Sequence, residues 1–153
     1  MPATDAKNNR IIELLIEAYN AELETVMNFM ANAANLDGVR AEEIKESLQG
    51  DIAEEIGHAQ KLAARIRTLE GTVPGSLSLR WTQDALQPPA DSTDVVMVIK
   101  GVIAAEEAVI TIYEKIIKTC EGIDYVTQDL ATQLMGEEQE HRREFIGFLR
   151  EYE

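Results

Sequence analysis

Cysteine occurs once in the 153 residues, at Cys120, so no disulfide can form within the chain and a reducing cytoplasm is the expected compartment. Aromatic residues make up only 5%, with Trp81 the single tryptophan, too few for the core of a sandwich or barrel. No long hydrophobic run is present. The most apolar stretch, Val95 to Ala105, is broken by Lys100 and Gly101, and Met1 to Arg10 is polar, so neither a membrane span nor a signal peptide is expected. Basic residues are scarce, 14 against 28 acidic, and the net charge of −14 repels phosphate backbones. Nucleic acid and anionic membrane are therefore not expected as partners. Proline is confined almost wholly to one interval, at Pro74, Pro88 and Pro89, which leaves long proline-free stretches on either side. There are only two histidines, His58 and His141.

Those proline-free stretches carry helical periodicity. Apolar residues recur at helical spacing from Asn8 to Asn35, closed by Asp37-Gly38, and again from Ala41 to Glu70, where Gly71 supplies a stop. A third helix is predicted to start near Asp91-Ser92-Thr93 and to run through Val95, Val102, Ile110 and Tyr113 to Glu121-Gly122. The fourth, capped by Asp124, passes through Leu134 and Phe145 to the end of the sequence. Two links are tight and predict antiparallel hairpins, but the middle one covers roughly twenty residues, long for a compact domain. Twenty extended residues reach about 66 Å, and a helix of about 30 residues is roughly 45 Å long, so this link can run the length of the bundle. The expected fold is all-α: one domain over 1–153, a four-helix bundle with one long crossover between helices two and three, which are then parallel. A floppy loop in an ordinary up-down bundle is the competing reading of the same interval.

Both histidines lie in Glu-x-x-His steps, Glu55-Ile56-Gly57-His58 on the second predicted helix and Glu138-Gln139-Glu140-His141 on the fourth. A spacing of three puts carboxylate and imidazole on one helix face. Either step alone is ordinary surface chemistry. Together they are completed by glutamates on the other two helices: Glu22 stands in the core stripe between Tyr19, Leu23 and Val26, and Glu106 continues the apolar series of the third helix better than Glu107 does. Burying a bare carboxylate costs several kcal/mol unless it is paired or bound to metal. Four glutamates balance two divalent cations, and each cation receives one imidazole. In this arrangement Glu55 and Glu138 bridge, Glu22 and His58 complete one ion, and Glu106 and His141 complete the other. Oxygen-rich ligation with one nitrogen per metal suits Fe(II) and Mn(II), with Zn as an opportunistic substitute. Of the remaining residues, Glu43, Glu46, Glu54 and Glu121 are expected on solvated faces, with Glu54 or Glu137 available to orient an imidazole. Met27, Met30, Met97 and Met135 are expected as core filler, Trp81 as a packing anchor or subunit contact, and Cys120 as inert.

The chain resembles bacterioferritin and its relatives in the ferritin-like superfamily, along essentially all four helices. The resemblance is carried by Asn20-Ala21-Glu22-Leu23, by Glu55-Ile56-Gly57-His58-Ala59 with its Leu69-Glu70-Gly71 exit, by Ala105-Glu106 with Ile110 and Tyr113, and by Glu137-Glu138-Gln139-Glu140-His141. It implies a ferroxidase, two Fe ions per subunit, Fe(II) with O2 or H2O2 as substrates, and ferric mineral stored in a hollow homo-oligomeric shell, a dodecamer or larger. The alternative in a different class is a peroxide-scavenging di-iron or di-manganese protein akin to rubrerythrin or manganese catalase, although the single cysteine leaves no paired Cys-x-x-Cys motifs for a rubredoxin donor. A metal-free structural bundle is the third reading. Three departures matter. Ile56 replaces the methionine through which bacterioferritins hold haem, so haem is not expected; Phe29 stands where the family has a tyrosine seven residues after the first glutamate; and with the sequence ending at Glu153 no fifth helix is expected, which brings a smaller shell of Dps-like miniferritin size into competition.

Overall fold

The computed structural model describes residues 2–153. Among them are four α-helices and no strand: α1 Pro2–Asn35, α2 Glu42–Thr68, α3 Val95–Cys120 and α4 Tyr125–Tyr152, with single 3-10 turns at Val39–Ala41, Ser76–Ser78 and Asp84–Leu86. Helix α1 begins six residues before the apolar period does, on Pro2, whose fixed φ and missing N–H suit a first helical position. Helix α2 ends at Thr68, and the left-handed φ of 66° that follows it falls on Glu70, not on Gly71. Gly71 is required for space instead, since a Cβ there would meet Ile12 Cγ2 at 2.9 Å. Acidic Glu42 and Glu43 open α2 and basic Arg65 and Arg67 close it, each sign complementing the helix dipole. The cap of α3 is Asp94, one residue beyond the predicted Asp91-Ser92-Thr93 start, and its carboxylate accepts the Met97 N–H at 3.1 Å. Asp124 caps α4 as predicted, accepting the Thr127 N–H at 3.0 Å.

Contacts between helices fix their directions. Arg65 near the end of α2 meets Asp124 before α4 at 3.2 Å, and Ser47 near its start donates to Glu144 near the end of α4 at 2.6 Å, so α2 and α4 are antiparallel. Helices α3 and α4 are antiparallel too, by Gln128 on Ile117 O at 3.0 Å and Arg142 on Glu107 at 3.1 Å. It follows that α2 and α3 are parallel, the ferritin-like topology expected from the crossover length. No helix among the described residues is long and apolar enough to cross a membrane.

The crossover, residues 69–94, is strapped to α1 by a row of polar side chains spaced four apart. Asn20 exchanges two hydrogen bonds with the Arg80 backbone, both 2.7 Å; Glu24 accepts the Gln83 N–H at 2.6 Å; Asn28 donates to the Gln83 side chain at 2.9 Å; Asn32 donates to Leu86 O at 2.9 Å. On the other side the strap lies so close to α3 that a Cβ at Gly101 would stand 2.4 Å from Ala85 O. Leu86 is thereby buried in one of two apolar clusters.

Those clusters divide the bundle. One gathers Phe29, Ile44, Leu48, Ile99, Val102 and Phe145, the other Leu14, Leu15, Leu62, Tyr113, Ile116 and Leu134. Met27, Met30 and Met97 are not core filler: they are 42%, 49% and 44% exposed, because each flanks the buried stripe of its helix, and only Met135 packs against a cluster. On α3 the buried series passes through Val109 and not Ile110. Trp81 is half exposed, and Cys120 is fully buried.

Candidate metal centre

Between the two apolar clusters lies a layer of buried charge. Glu22, Glu55, Glu106 and Glu138 are each 0–1% exposed, His58 is 3% and His141 7% exposed. All six residues expected from the sequence meet here, one glutamate from α1, one from α3, and a Glu-x-x-His pair from each of α2 and α4. Glu107 faces solvent and pairs with Arg142, as the choice of Glu106 requires.

Donor atoms converge in two groups: Glu22, Glu55, His58 and Glu138 bring one atom each within 4.8 Å of one another, and Glu55, Glu106, Glu138 and His141 do the same. Glu55 and Glu138 belong to both. His58 Nδ1 lies 2.9 Å from Glu22 Oε2 and 2.7 Å from Glu138 Oε1; His141 Nδ1 lies 3.2 Å from Glu55 Oε1 and 3.5 Å from Glu138 Oε2. The imidazoles are nearly parallel, 17° apart, with centroids separated by 6.5 Å.

Each imidazole turns its other nitrogen outward onto a carboxylate of the opposite helix. His58 Nε2 lies 3.0 Å from Glu137 on α4, and His141 Nε2 contacts Glu54 on α2, with Asp51 at 3.7 Å. The residue preceding each shared glutamate therefore orients the imidazole across the bundle. A carboxylate on the far nitrogen fixes the ring and the tautomer that offers Nδ1 inward. Glu54 thus does more than solvate its helix. Asp51 was missed by sequence reading, although it stands four residues before Glu55 and so shares its face. Glu24 was missed as well; it is buried at 4% exposure, yet it serves the crossover and not this layer.

Burial and mutual charge displace the proton affinities of the layer. Burial, then the charges of Glu55 and Glu138, push Glu22 well above the usual carboxylate range. Burial likewise raises Glu55 to about 7 and Asp51 to about 6, against the opposing pull of His141. For Glu138 burial acts upward but hydrogen bonds from His141 and His58 outweigh it and hold the carboxyl low. Both imidazoles are raised: burial acts downward, and hydrogen bonding and charge from Glu138 prevail. Even so, buried atoms remain unsatisfied, namely Glu22 Oε1, both oxygens of Glu55, Glu106 Oε2, Glu138 Oε2 and His141 Nδ1. Native structures pair such atoms, and each exception calls for a ligand or another cause. Five of these six are carboxylate oxygens, acceptors converging on two centres. A pair of divalent cations fits this donor set in charge, in number of ligands and in hardness.

Comparison with known proteins agrees with the fold. The family model described as the ferritin-like domain matches residues 12–153. The DNA protection during starvation protein of Pyrococcus furiosus is 29% identical over 144 residues, covering 92% of this chain and 77% of that protein. Among solved structures, the bacterioferritin-related dodecameric thioferritin of Bacteroides fragilis superposes with a TM-score of 0.83 at 24% identity, over 97% of this chain and 90% of that one. The diiron bacterioferritin of Desulfovibrio desulfuricans superposes with a TM-score of 0.81 at 23% identity, over 96% and 82%. At such identities the superpositions speak for the fold, whereas the family match reaches from the first turns of α1 to the end of α4 and takes in every residue of the charged layer. The chain belongs to the ferritin-like domain family.

Proposed function

We propose that this protein oxidises Fe(II) at an intrasubunit di-iron site and stores the ferric product as mineral inside a hollow homo-oligomer. The observation that carries this reading is the sharing of Glu55 and Glu138 between two four-ligand groups whose buried oxygens lack partners. Iron is the substrate: two Fe(II) ions give up one electron each, and O2 or H2O2 accepts the pair. Glu55 and Glu138 bridge the ions, Glu22 with His58 holds one, and Glu106 with His141 holds the other. Protons that rest on Glu22 and on the two imidazoles must leave as the cations arrive, so apparent metal affinity rises with pH. Glu54 and Glu137, more than half exposed at the outer nitrogens, keep each ring in place during that exchange.

A multisubunit shell is supported by the dodecamer named for the Bacteroides fragilis relative. The net charge of −14 supports iron attraction and argues against DNA as a partner, despite the name of the Pyrococcus furiosus relative. The test is aerobic addition of Fe(II) to the intact assembly, followed by absorbance of the ferric product, native mass and iron content. The wild type oxidises rapidly and keeps iron in a large particle, while His58→Ala and Glu138→Ala lose the rapid phase. Unchanged rates in both variants would overturn the reading, and rapid oxygen evolution from peroxide with Mn bound and no mineral would hand the site to the catalase-like alternative.

A further inference from the structure

Between α1, α3 and the crossover lies a cleft of about 610 Å³, within the size range of small-molecule sites and separate from the charged layer. Its walls are apolar because small side chains stand there: Ala104, Ala105 and Ala108 of α3 line it together with Ile16 and Ala21 of α1. Larger residues at those positions would fill it. Glu13 and Glu17 of α1 and Asp84 of the crossover are exposed at its rim, against one basic side chain, Arg80.

Glu24 lines the same cleft but is only 4% exposed. Its Oε2 accepts the Gln83 N–H at 2.6 Å, and among the described residues no basic side chain pairs with it. One bond from a neutral amide leaves a buried carboxylate charge uncompensated, which is costly. The grip on the crossover does not account for that charge, since Asn20, Asn28 and Asn32 in the same row hold the strap through neutral amides. A cation reaching Glu24 from the cleft does account for it.

We propose that this cleft binds an organic cation, with an ammonium or amidinium group donating to Glu24 and a compact apolar body lying on the alanine wall. A hydrogen bond between two charged groups in such a partly dry place is stronger than one between neutral groups. A bare metal ion is a poorer match. Among the described residues Glu24 belongs to no cluster of three ligating side chains, and the alanine wall offers no oxygen. The bound cation also ties the crossover to α1 and α3 together, so it stabilises the fold by mass action.

The test is calorimetric titration of the metal-free intact assembly with benzamidine, an amidinium on a flat ring, and with benzamide, its neutral counterpart of nearly the same shape. Benzamidine binds once per subunit and raises the thermal midpoint, and benzamide binds about tenfold more weakly or worse. Glu24→Gln keeps an acceptor for the Gln83 N–H and removes the charge, so it brings benzamidine down to the benzamide level and leaves benzamide unchanged. Ala108→Leu fills the wall from an exposed helical position and abolishes both. The inference is overturned by a wild type that takes up no benzamidine, by equal affinities for amidine and amide, or by a benzamidine affinity that either variant leaves unchanged. Displacement of benzamidine by Mg(II) at matched ionic strength overturns it too, as the mark of a site for inorganic cations.

Discussion

Glu55→Met separates what the metal centre does for function from what it costs in stability. Glu55 is 1% exposed, neither of its oxygens has a hydrogen-bond partner, and it sits among three other buried glutamates. Methionine nearly matches its volume, so the cavity term is small. Relieving an unsatisfied buried polar group returns about 1–3 kcal/mol. Breaking a buried ion pair can cost more than that, but His141 is not left uncompensated, since Glu138 at 3.5 Å, Asp51 at 3.7 Å and Glu54 remain. The net effect on the metal-free protein is therefore stabilising, and at about 2–4 °C per kcal/mol for a domain of this size the midpoint rises by roughly 2–12 °C. Metal reverses the order. Wild type at a Co(II) concentration about 100 times its Kd gains about 2.7 kcal/mol, and the variant, which lacks a ligand common to both groups, gains little. Differential scanning calorimetry with and without Co(II), on assemblies of equal native mass, reads both effects. A metal-free midpoint that falls by more than about 3 °C, or a Co(II) shift equal to that of wild type, would refute the account of Glu55 as an acceptor held in reserve for two cations.

Gly101→Ala drives a Cβ to 2.4 Å from Ala85 O, so the crossover must lift off α3; we expect a loss of about 1–3 kcal/mol, checked by chemical denaturation. Cys120 is fully buried, and burial pushes its thiol up to about 11; it stays unlabelled by maleimide at pH 8 in the folded protein and labels at once in denaturant. Asp124→Ala removes the α4 cap and the Arg65 pair, at about 1 kcal/mol near neutral pH. Burial acts upward on Asp124, but Thr127 and Arg65 outweigh it and lower the carboxyl, so its stabilisation is present above the ordinary aspartate pKa and is lost as pH falls through the lowered one. Wild type and variant should converge in acid, and a constant gap down to strongly acidic pH would contradict this.

The architecture was legible because the helices repeat strongly and the one long link has few uses. Glu22 and Glu106 were legible for a related reason: a charge inside an apolar stripe is an anomaly that sequence displays. Other features leave no such mark. Met27 and Met97 share the spacing of core residues, and which side of the stripe a flanking residue falls on depends on how neighbouring helices are rotated. The row Asn20, Glu24, Asn28, Asn32 has a period of four, but only the folded crossover shows that the row grips backbone. The outward pairs of His58 with Glu137 and of His141 with Glu54 were half legible; adjacency put an acid beside each shared glutamate, and tertiary structure alone crossed them between helices.

The sharing of Glu55 and Glu138 also bears on how the molecule comes apart. One hairpin, α1 with α2, carries three members of the first donor group and lends Glu55 to the second; the other hairpin does the reverse with Glu138. Neither hairpin can complete a coordination set by itself. Two cations bound there would act as rivets between two halves that are otherwise joined through one covalent strap, polar contacts such as Arg65–Asp124, and their packed faces. Loading should merge two partly independent unfolding units into one. Amide hydrogen exchange would register this as a common opening free energy for both hairpins with metal bound, in place of two distinct ones without it.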